Sequence, residues 1–419
     1  MGINVEKVRR NFPHLDEVIY LGAAGAGAFS LVVYDAIIEY WSRRRYASTL
    51  GGVDHAWFSE KAVLANREAA KLIGADPDEV CHISRVVQGL NTVKDIIDYS
   101  IGWSRGDNVV ITDQEYPSSG HTWLSLRKKG VEIHKIRNVN GRILRSEMEN
   151  AVDDHTKLVC INRTSVGSGA TYDIMQVCEI AHPHGALVVD DAIQTVGAKV
   201  INVHKDTVDF LVSGSYKWQC GPLEAGLFYA KKEHCEKLES SYFSYINIDR
   251  GPGVDGFAKF PFGARDHDPV DSYDLPPPKT AQRFDMGTTA TDQIWGWHAA
   301  LKYLNELGRN NIEERLMHLG NYISDGLEDI GCTIRTPREE EDGVLNSKRH
   351  ALTMYTTGSY ERDQRSVAEM RNRKQRAIQG PTLKMQGGYG GIRVSPHFYN
   401  TEEEIDAMVE WQKKILEKL

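Results

Sequence analysis

The sequence lacks the features that mark membrane proteins, disulfide-stapled proteins and nucleic-acid-binding proteins. No stretch approaches the roughly 20 apolar residues of a membrane span, and residues 1–15 are too polar for a signal peptide. The six cysteines contain no CxxC pair, so we expect neither a zinc site nor a disulfide framework. The densest basic run, at 43–45, is typical of a solvated helix end. These absences predict a cytoplasmic protein that binds neither membranes nor nucleic acids. They also predict that it holds no metal.

The length and composition are those of a globular protein with two lobes. The 419 residues are 41% hydrophobic and 26% charged, and the formal net charge is -8. Single hydrophobic cores stop growing at about 250–300 residues, so one core would not accommodate this chain.

Short apolar runs alternate with helical stretches in the middle of the chain. The runs are typical of buried strands in a mostly parallel sheet that helices cover on both faces. Open α/β sheets bind ligands beyond the carboxyl ends of their strands, and polar clusters follow four of these runs. We therefore expect one site at that edge of the sheet. The predicted strands are 108–112, 157–162, 186–190, 209–213 and 227–230.

The last third of the chain has a different organisation. Residues 244–280 are rich in Gly, Pro, Asp and aromatics, and form either a cover over the site or a solvated insertion. A helical region over 291–331 follows, and Thr401 with Glu404 marks the start of a final helix as a capping box. We expect a large domain over 20–290, a small domain built from 1–19 and 291–419, and a pocket between them.

Two residues at neighbouring strand ends suggest a catalytic site. Asp191 directly follows one predicted strand, and Lys217 follows the next in the run Ser-Gly-Ser-Tyr-Lys-Trp-Gln-Cys-Gly-Pro. A buried carboxylate beside a lysine can be a structural ion pair. Small residues around Lys217 would instead let the backbone approach a ligand closely. A lysine and a carboxylate are what pyridoxal 5'-phosphate (PLP) needs, one for a Schiff base and one for its pyridine nitrogen.

The region over 185–229 resembles the centre of the class V aminotransferase family, which includes cysteine desulfurases, selenocysteine lyases and isopenicillin N epimerases. The similarity extends from Val18-Ile19-Tyr20-Leu21 through 283–288 to 392–400. It implies PLP as cofactor and the PLP-dependent transferase fold type I. In this α/β fold, a large domain has a mostly parallel seven-stranded sheet flanked by helices, and a smaller α/β domain lies at the C-terminus.

The resemblance implies roles for four residues around the cofactor ring. Lys217 would form the Schiff base, and Gln194 would donate to the phenolic oxygen of PLP. Asp191 would bind the pyridine nitrogen. Asp190 is the alternative candidate for that role, but its side chain should face the other side of the strand. Tyr116 would stack on the ring where desulfurases have a histidine, although a strand-end surface aromatic is the alternative.

The phosphate of PLP should lie at the turn over 84–89, where a helix begins and its N–H groups can bind an anion. The family usually has threonines at the positions of Val86 and Val87, so Ser84 or Ser215 would replace their hydroxyls. Thr288 resembles the threonine that reaches the phosphate of a neighbouring subunit, which implies a homodimer with a composite active site. A helix N-cap is the competing interpretation of Thr288.

Two further segments are candidates for a substrate site. Arg393, within an apolar run, matches the family's arginine for the substrate α-carboxylate, which a guanidinium binds in bidentate geometry. The glycines over 22–27 resemble a dinucleotide fingerprint, but Ser30 stands where its third glycine belongs. We interpret them as a close-packed loop near the substrate.

The reaction is less specified than the cofactor. Residues 379–393 contain no cysteine that could carry a persulfide, so a persulfide-relay desulfurase is not expected. We favour a lyase that cleaves a C–S bond by β-elimination in an amino acid or its conjugate, with Lys217 as the proton shuttle. The alternatives are an epimerase, an aminotransferase or a decarboxylating deaminase. A PLP-free binding protein is the non-enzyme alternative.

Overall fold

The computed structural model describes residues 2–47, 55–242, 244, 247, 276–287, 290–339, 341–345, 349–372 and 377–418. Its helices are α1 Val5–Arg9, α2 Leu31–Ala47, α3 His55–Ile73, α4 Val86–Ser100, α5 Pro117–Leu124, α6 Arg145–Ala151, α7 Ile174–Ala181, α8 Val203–Asp206, α9 Lys232–Lys237, α10 Thr291–Leu307, α11 Arg309–Asp329, α12 Tyr360–Arg371 and α13 Glu402–Leu416. Its strands are β1 Ile19–Tyr20, β2 Val80–Ile83, β3 Asn108–Thr112, β4 Glu132–Ile136, β5 Thr156–Asn162, β6 Leu187–Asp191, β7 Phe210–Gly214, β8 Gly226–Ala230, β9 Thr333–Ile334, β10 Thr353–Thr356, β11 Ile378–Gln379, β12 Thr382–Gln386 and β13 Tyr389–Val394.

The large lobe is organised around a seven-stranded sheet in the order β2-β8-β7-β6-β5-β3-β4. Only β8 runs against its neighbours β2 and β7, and the other pairs are parallel. This is the mostly parallel seven-stranded sheet that the resemblance implied.

Both faces of the large sheet are buried, and the side chains alternate between two cores. Val110 and Val159 lie in one core, whereas Val109 and Cys160 lie in the other. The uninterrupted apolar runs in the sequence reflect this double burial. Gly89 lets α4 lie closely on the sheet, since a Cβ at that position would come within 2.6 Å of a Val212 methyl carbon.

The small lobe contains an antiparallel sheet in the order β12-β13-β10-β9. It packs against α11 and α12, and the Tyr355 hydroxyl of β10 donates to Gln412 of α13. Strand β11 leaves the four-stranded sheet to pair in parallel with β1, so a segment from the start of the chain lies beside one from its last part. The proposed division into a large domain over 20–290 and a small domain over 1–19 and 291–419 stays a prediction.

Most predicted elements are present with shifted ends. The predicted strand at 108–112 matches β3, and Thr401 and Glu404 form the expected capping box at α13. The helical region over 291–331 is two helices, because Gly308 adopts a left-handed φ of 88° between α10 and α11. None of the described helices is both long and apolar enough to cross a membrane.

Candidate active site

Lys217 and Asp191 meet at the carboxyl edge of the large sheet, because β6 and β7 are parallel neighbours. Asp191 is the last residue of β6, and Lys217 lies three residues beyond β7. Lys217 is 7% exposed and Asp191 is 2% exposed. The Lys217 ammonium makes no hydrogen bond or ion pair with the described residues, and it lies 5.5 Å from the ring centroid of Tyr116 and 5.7 Å from that of Tyr216.

Burial dominates the electrostatics of this pair. It lowers the pKa of Lys217 to about 8; the Asp191 carboxylate opposes the shift, and the cations Arg393 and Lys384 add to it. Burial raises the pKa of Asp191, although Ser119, the Ile193 N–H and Lys217 favour its charged form. The site thus holds a lysine that can lose its proton near neutral pH beside a carboxylate, a combination typical of acid–base catalysis.

Tyr116 and Ser119 reach the site from the start of α5. Tyr116 is the N-cap of this helix and is 44% exposed, so one side of its ring is open. Ser119 Oγ donates a 2.6 Å hydrogen bond to Asp191 Oδ2. Glu115 lies buried beside them and accepts a 2.9 Å hydrogen bond from Thr112 Oγ1. Burial raises the pKa of Glu115 to about 8.

Gln194 and Ser215 are fully buried and already hydrogen-bonded. Gln194 donates to the Ala24 carbonyl at 3.0 Å and accepts from the Trp218 indole at 2.8 Å, which leaves one amide hydrogen for a ligand. The Ser215 hydroxyl donates to the Pro222 carbonyl. It could donate to a phosphate only by breaking that bond, so the structure favours other donors.

The first turn of α4 is the better anion site. Val86 and Val87 are its first residues, and their N–H groups are among those that a helix leaves without an internal partner. The N-cap residue Arg85 makes no capping hydrogen bond with its side chain. Ser84 directly precedes this turn and is half-buried.

Arg393 enters the site from β13 of the small lobe and is 5% exposed. Its guanidinium makes no hydrogen bond or ion pair within the described part of the chain, and its Nε is buried without a partner. Burial lowers the pKa of Arg393 to about 10, a shift that the Tyr116 and Tyr20 hydroxyls oppose. A buried guanidinium without an anion indicates a site for one.

The glycine loop over 22–27 closes the site from the other side, as a close-packed segment. A Cβ on Gly27 would lie 2.2 Å from the Lys217 carbonyl oxygen, and one on Gly25 would lie 3.8 Å from Arg393 Nη2. Only glycine allows the loop to lie this close to the lysine turn.

These residues fit PLP. Among the described residues Lys217 is a buried amine without a partner, Asp191 is a buried carboxylate, and the first turn of α4 offers N–H groups for a phosphate. Thr288 and most of the proposed cover over 244–280 lie outside the described residues.

The sequence did not identify three residues that the structure brings to the site: Ser119, Tyr216 and Lys384. Tyr216 could have been recognised as the neighbour of Lys217. Ser119 and Lys384 lie on other elements, and only packing brings them to the site.

All six cysteines are free and buried. Cys220 is the one beside the lysine turn, and its Sγ lies 3.5 Å from His397 Nε2. Burial raises the pKa of the Cys220 thiol and lowers that of His397 to about 3. Both groups are therefore neutral at physiological pH, which does not favour a reactive thiolate.

Solved structures share this fold over the whole chain. The apo structure of a cysteine desulfurase from Thermococcus onnurineus covers 100% of this chain and 99% of its own, with a TM-score of 0.80 and 22% identity. A C-DES variant with glycine covalently linked to its PLP cofactor covers 97% and 98%, with a TM-score of 0.78 and 17% identity. Identities this low show the fold alone. That fold is the PLP-dependent transferase fold type I.

The chain belongs to the class V aminotransferase family, whose model, described as Aminotransferase class-V, matches residues 19–250 and 257–408. A relative from Methanothermobacter thermautotrophicus, a probable cysteine desulfurase, is 25% identical over 421 residues, which are 99% of this chain and 98% of that protein. PLP is therefore the cofactor, and the alternative of a PLP-free binding protein is not supported.

Proposed function

We propose that this enzyme cleaves a C–S bond by β-elimination in an amino acid or an amino-acid conjugate. One observation carries the proposal: the Lys217 amine lies buried without a partner in the part of the chain that the structure describes, close enough to Asp191 and Arg393 for their charges to shift its pKa. A base, a carboxylate and a carboxylate-binding cation are the groups that proton removal at the α-carbon of an amino acid needs.

Each residue has a separate role in this proposal. Arg393 binds the α-carboxylate as a bidentate fork. Asp191, oriented by Ser119, holds a proton at the pyridine nitrogen of the cofactor, and Tyr116 covers one face of the ring. PLP, when bound, supplies a ring that takes up the electron pair left at the α-carbon.

Lys217 moves the proton. Its amine accepts the proton from the α-carbon, and its pKa near 8 suits a base that works close to neutral pH. The Cβ–S bond then breaks with its electron pair on sulfur, which leaves as a thiolate and is protonated. Water releases the remaining fragment as a 2-oxo acid and ammonia.

The names of the relatives support C–S chemistry but leave open how the sulfur departs. A desulfurase transfers it to an enzyme cysteine, which must be accessible and ionised. No cysteine occurs over 379–393, and the six cysteines of this chain are buried. The proposal of elimination without a persulfide on the enzyme depends on these cysteines, not on the relatives.

The test is incubation of the holoenzyme with a panel of amino acids and S-conjugates, followed in parallel for 2-oxo acid, ammonia, thiol and racemisation. We expect thiol and 2-oxo acid in equal amounts, and no product with Lys217→Ala. Racemised substrate without 2-oxo acid would instead indicate an epimerase, and alanine with enzyme-bound sulfur would indicate a desulfurase.

We also propose a homodimer with composite active sites, with Thr288 reaching the partner's phosphate. An exposed apolar stripe on α2 supports a dimer: Leu31, Tyr34, Ile38 and Trp41 are 41–52% exposed and recur every three or four residues. Such a stripe on a helix surface is typical of a protein–protein contact.

Sedimentation at micromolar concentration should show a dimer, and Ile38→Lys should shift it toward the monomer. Glu39→Lys, one residue along the same helix, is the matched control and should leave the dimer intact. A fully active wild-type monomer would rule out the composite site.

The free state of the six cysteines supports a cytoplasmic location for the enzyme.

A further inference from the structure

The face of the β12–β13 hairpin that carries Arg393 also carries a second cation. Thr382 lies opposite Arg393 in the register, and Lys384 lies opposite Gly391. Paired residues share a face and the side chains alternate, so Lys384 is the diagonal neighbour of Arg393. Leu383 and Ile392 lie on the other face, in the core of the small lobe.

The surroundings of Lys384 favour a bound anion. Its ammonium makes no hydrogen bond or ion pair with any described residue, and Gly391, the residue opposite, has no side chain that could contact it. Thr382 Oγ1 and Arg393 Nε, on the same face, are buried polar atoms that have no partner among the residues placed by the structure.

Two cations side by side repel each other unless an anion lies between them. Burial and the charge of Arg393 lower the pKa of Lys384, and both cations lower that of Lys217. The α-carboxylate of one substrate would neutralise Arg393 alone. The second cation and the unpartnered Thr382 hydroxyl thus remain available for another anionic group.

We propose that Lys384 binds an anionic group in the substrate side chain while Arg393 binds the α-carboxylate. The substrate class is therefore an amino acid or S-conjugate with a second negative charge. This inference rests on the proposed role of Arg393. Diagonal neighbours in an antiparallel pair lie about 7–8 Å apart, which suits two carboxylates separated by a short carbon chain.

The test uses amine-free analogues of the two charge types on the PLP-loaded enzyme. Binding of succinate and glutarate is compared with that of butyrate and valerate by calorimetry and by the change in cofactor absorbance. The wild type should bind the dianions at least about fivefold more tightly than the monoanions. A preference of that size lies between the contributions that an exposed and a buried ion pair make to binding. Lys384→Met should remove this preference, and Lys384→Arg should retain it.

Lys413→Met, which removes an equal charge from an exposed position of α13, is the matched control and should leave the preference unchanged. A wild type without preference for dianions, or a Lys384→Met enzyme that retains it, would overturn the inference. Equal weakening of the binding of dianions and monoanions in Lys384→Met would overturn it as well. The lysine would then contribute only to the overall positive potential of the site, without contacting a second anionic group. Unchanged monoanion binding in Arg393→Ala would instead contradict the proposed role of Arg393.

Discussion

Asp190 and Asp191 are adjacent in β6, but their carboxylates lie on opposite faces of the sheet. Asp190 Oδ2 accepts a 2.6 Å hydrogen bond from Arg163 Nε, and Arg163 is also 2.7 Å from Asp206. Asp191 lies on the side of Ser119 and Lys217. One carboxylate thus belongs to a buried ion-pair network, and its neighbour remains for the cofactor.

Removing the Ser119 hydroxyl should weaken the function of Asp191. Ser119→Ala deletes the 2.6 Å hydrogen bond, which favours the charged carboxylate, so the pKa of Asp191 should rise further. A hydrogen bond to a charged group contributes about 1.5–3 kcal/mol, so PLP should dissociate at least about tenfold more readily. Spectroscopic titration with PLP measures this. Ser118→Ala, at the half-buried serine one residue earlier, is the control, and equal affinities would contradict the role of Ser119.

Lys217 should destabilise the cofactor-free protein below about pH 8. The pKa of Lys217 is lowered from 10.5 to about 8 in the folded state, so the unfolded chain binds more protons between these values and stability rises with pH across that window. Lys217→Met should be more stable than the wild type at pH 7, by an amount on the order of 3 kcal/mol. The difference should shrink above pH 8. Urea unfolding at several pH values checks this, and a pH-independent difference would contradict it.

Arg393→Ala should weaken substrate binding more than it changes the chemistry. It removes a charge-assisted contact of about 1.5–3 kcal/mol, which corresponds to roughly a tenfold to hundredfold rise in KM. Arg393→Lys should recover part of this loss, because lysine keeps the charge but not the bidentate fork. Steady-state kinetics separate KM from kcat, and an unchanged KM in Arg393→Ala would count against the assignment.

Turnover should not depend on any cysteine. A persulfide carrier must be accessible and ionised, whereas Cys220 and Cys332 are buried, and burial raises the pKa of Cys332 to about 12. The double replacement of Cys220 and Cys332 by Ala should retain most of the activity. Loss of turnover from a single cysteine replacement, with PLP still bound, would restore the desulfurase interpretation.

Gly27→Ala should abolish cofactor binding, since its Cβ would lie 2.2 Å from the Lys217 carbonyl oxygen. The lysine turn would have to move or the glycine loop would have to detach. Gly120→Ala is the control, because the nearest atom to its Cβ is 4.0 Å away and alanine favours a helix. PLP content of the purified variants is the measurement, and full PLP occupancy in Gly27→Ala would show that the loop yields.

The sequence predicts the parts of the fold that depend on local patterns. Strand β3 is recognisable because both of its faces are buried, so its sequence is an uninterrupted apolar run. Strand β4 is partly exposed and contains the charged residues Glu132 and Lys135, so its sequence does not indicate a buried strand. The proximity of Lys217 and Asp191 can be predicted because the carboxyl ends of parallel strands lie at the same edge of a sheet. Ser119 could not be predicted, because its contact with Asp191 depends on how α5 packs against the sheet, which no spacing in the chain encodes.

The pairing of β1 with β11 joins segments that are far apart in the sequence, and this affects folding. The Ala24 N–H donates to Ser395 Oγ across 371 positions of sequence, within the same assembly that places Gly27 on Lys217 and Arg393 beside Gly25. Such long-range contacts form slowly and late, because the entropy of closing a long loop opposes them. We therefore expect cofactor capture to be among the last events in refolding, after most of the secondary structure has formed, so that PLP absorbance reports completion of the native chain topology.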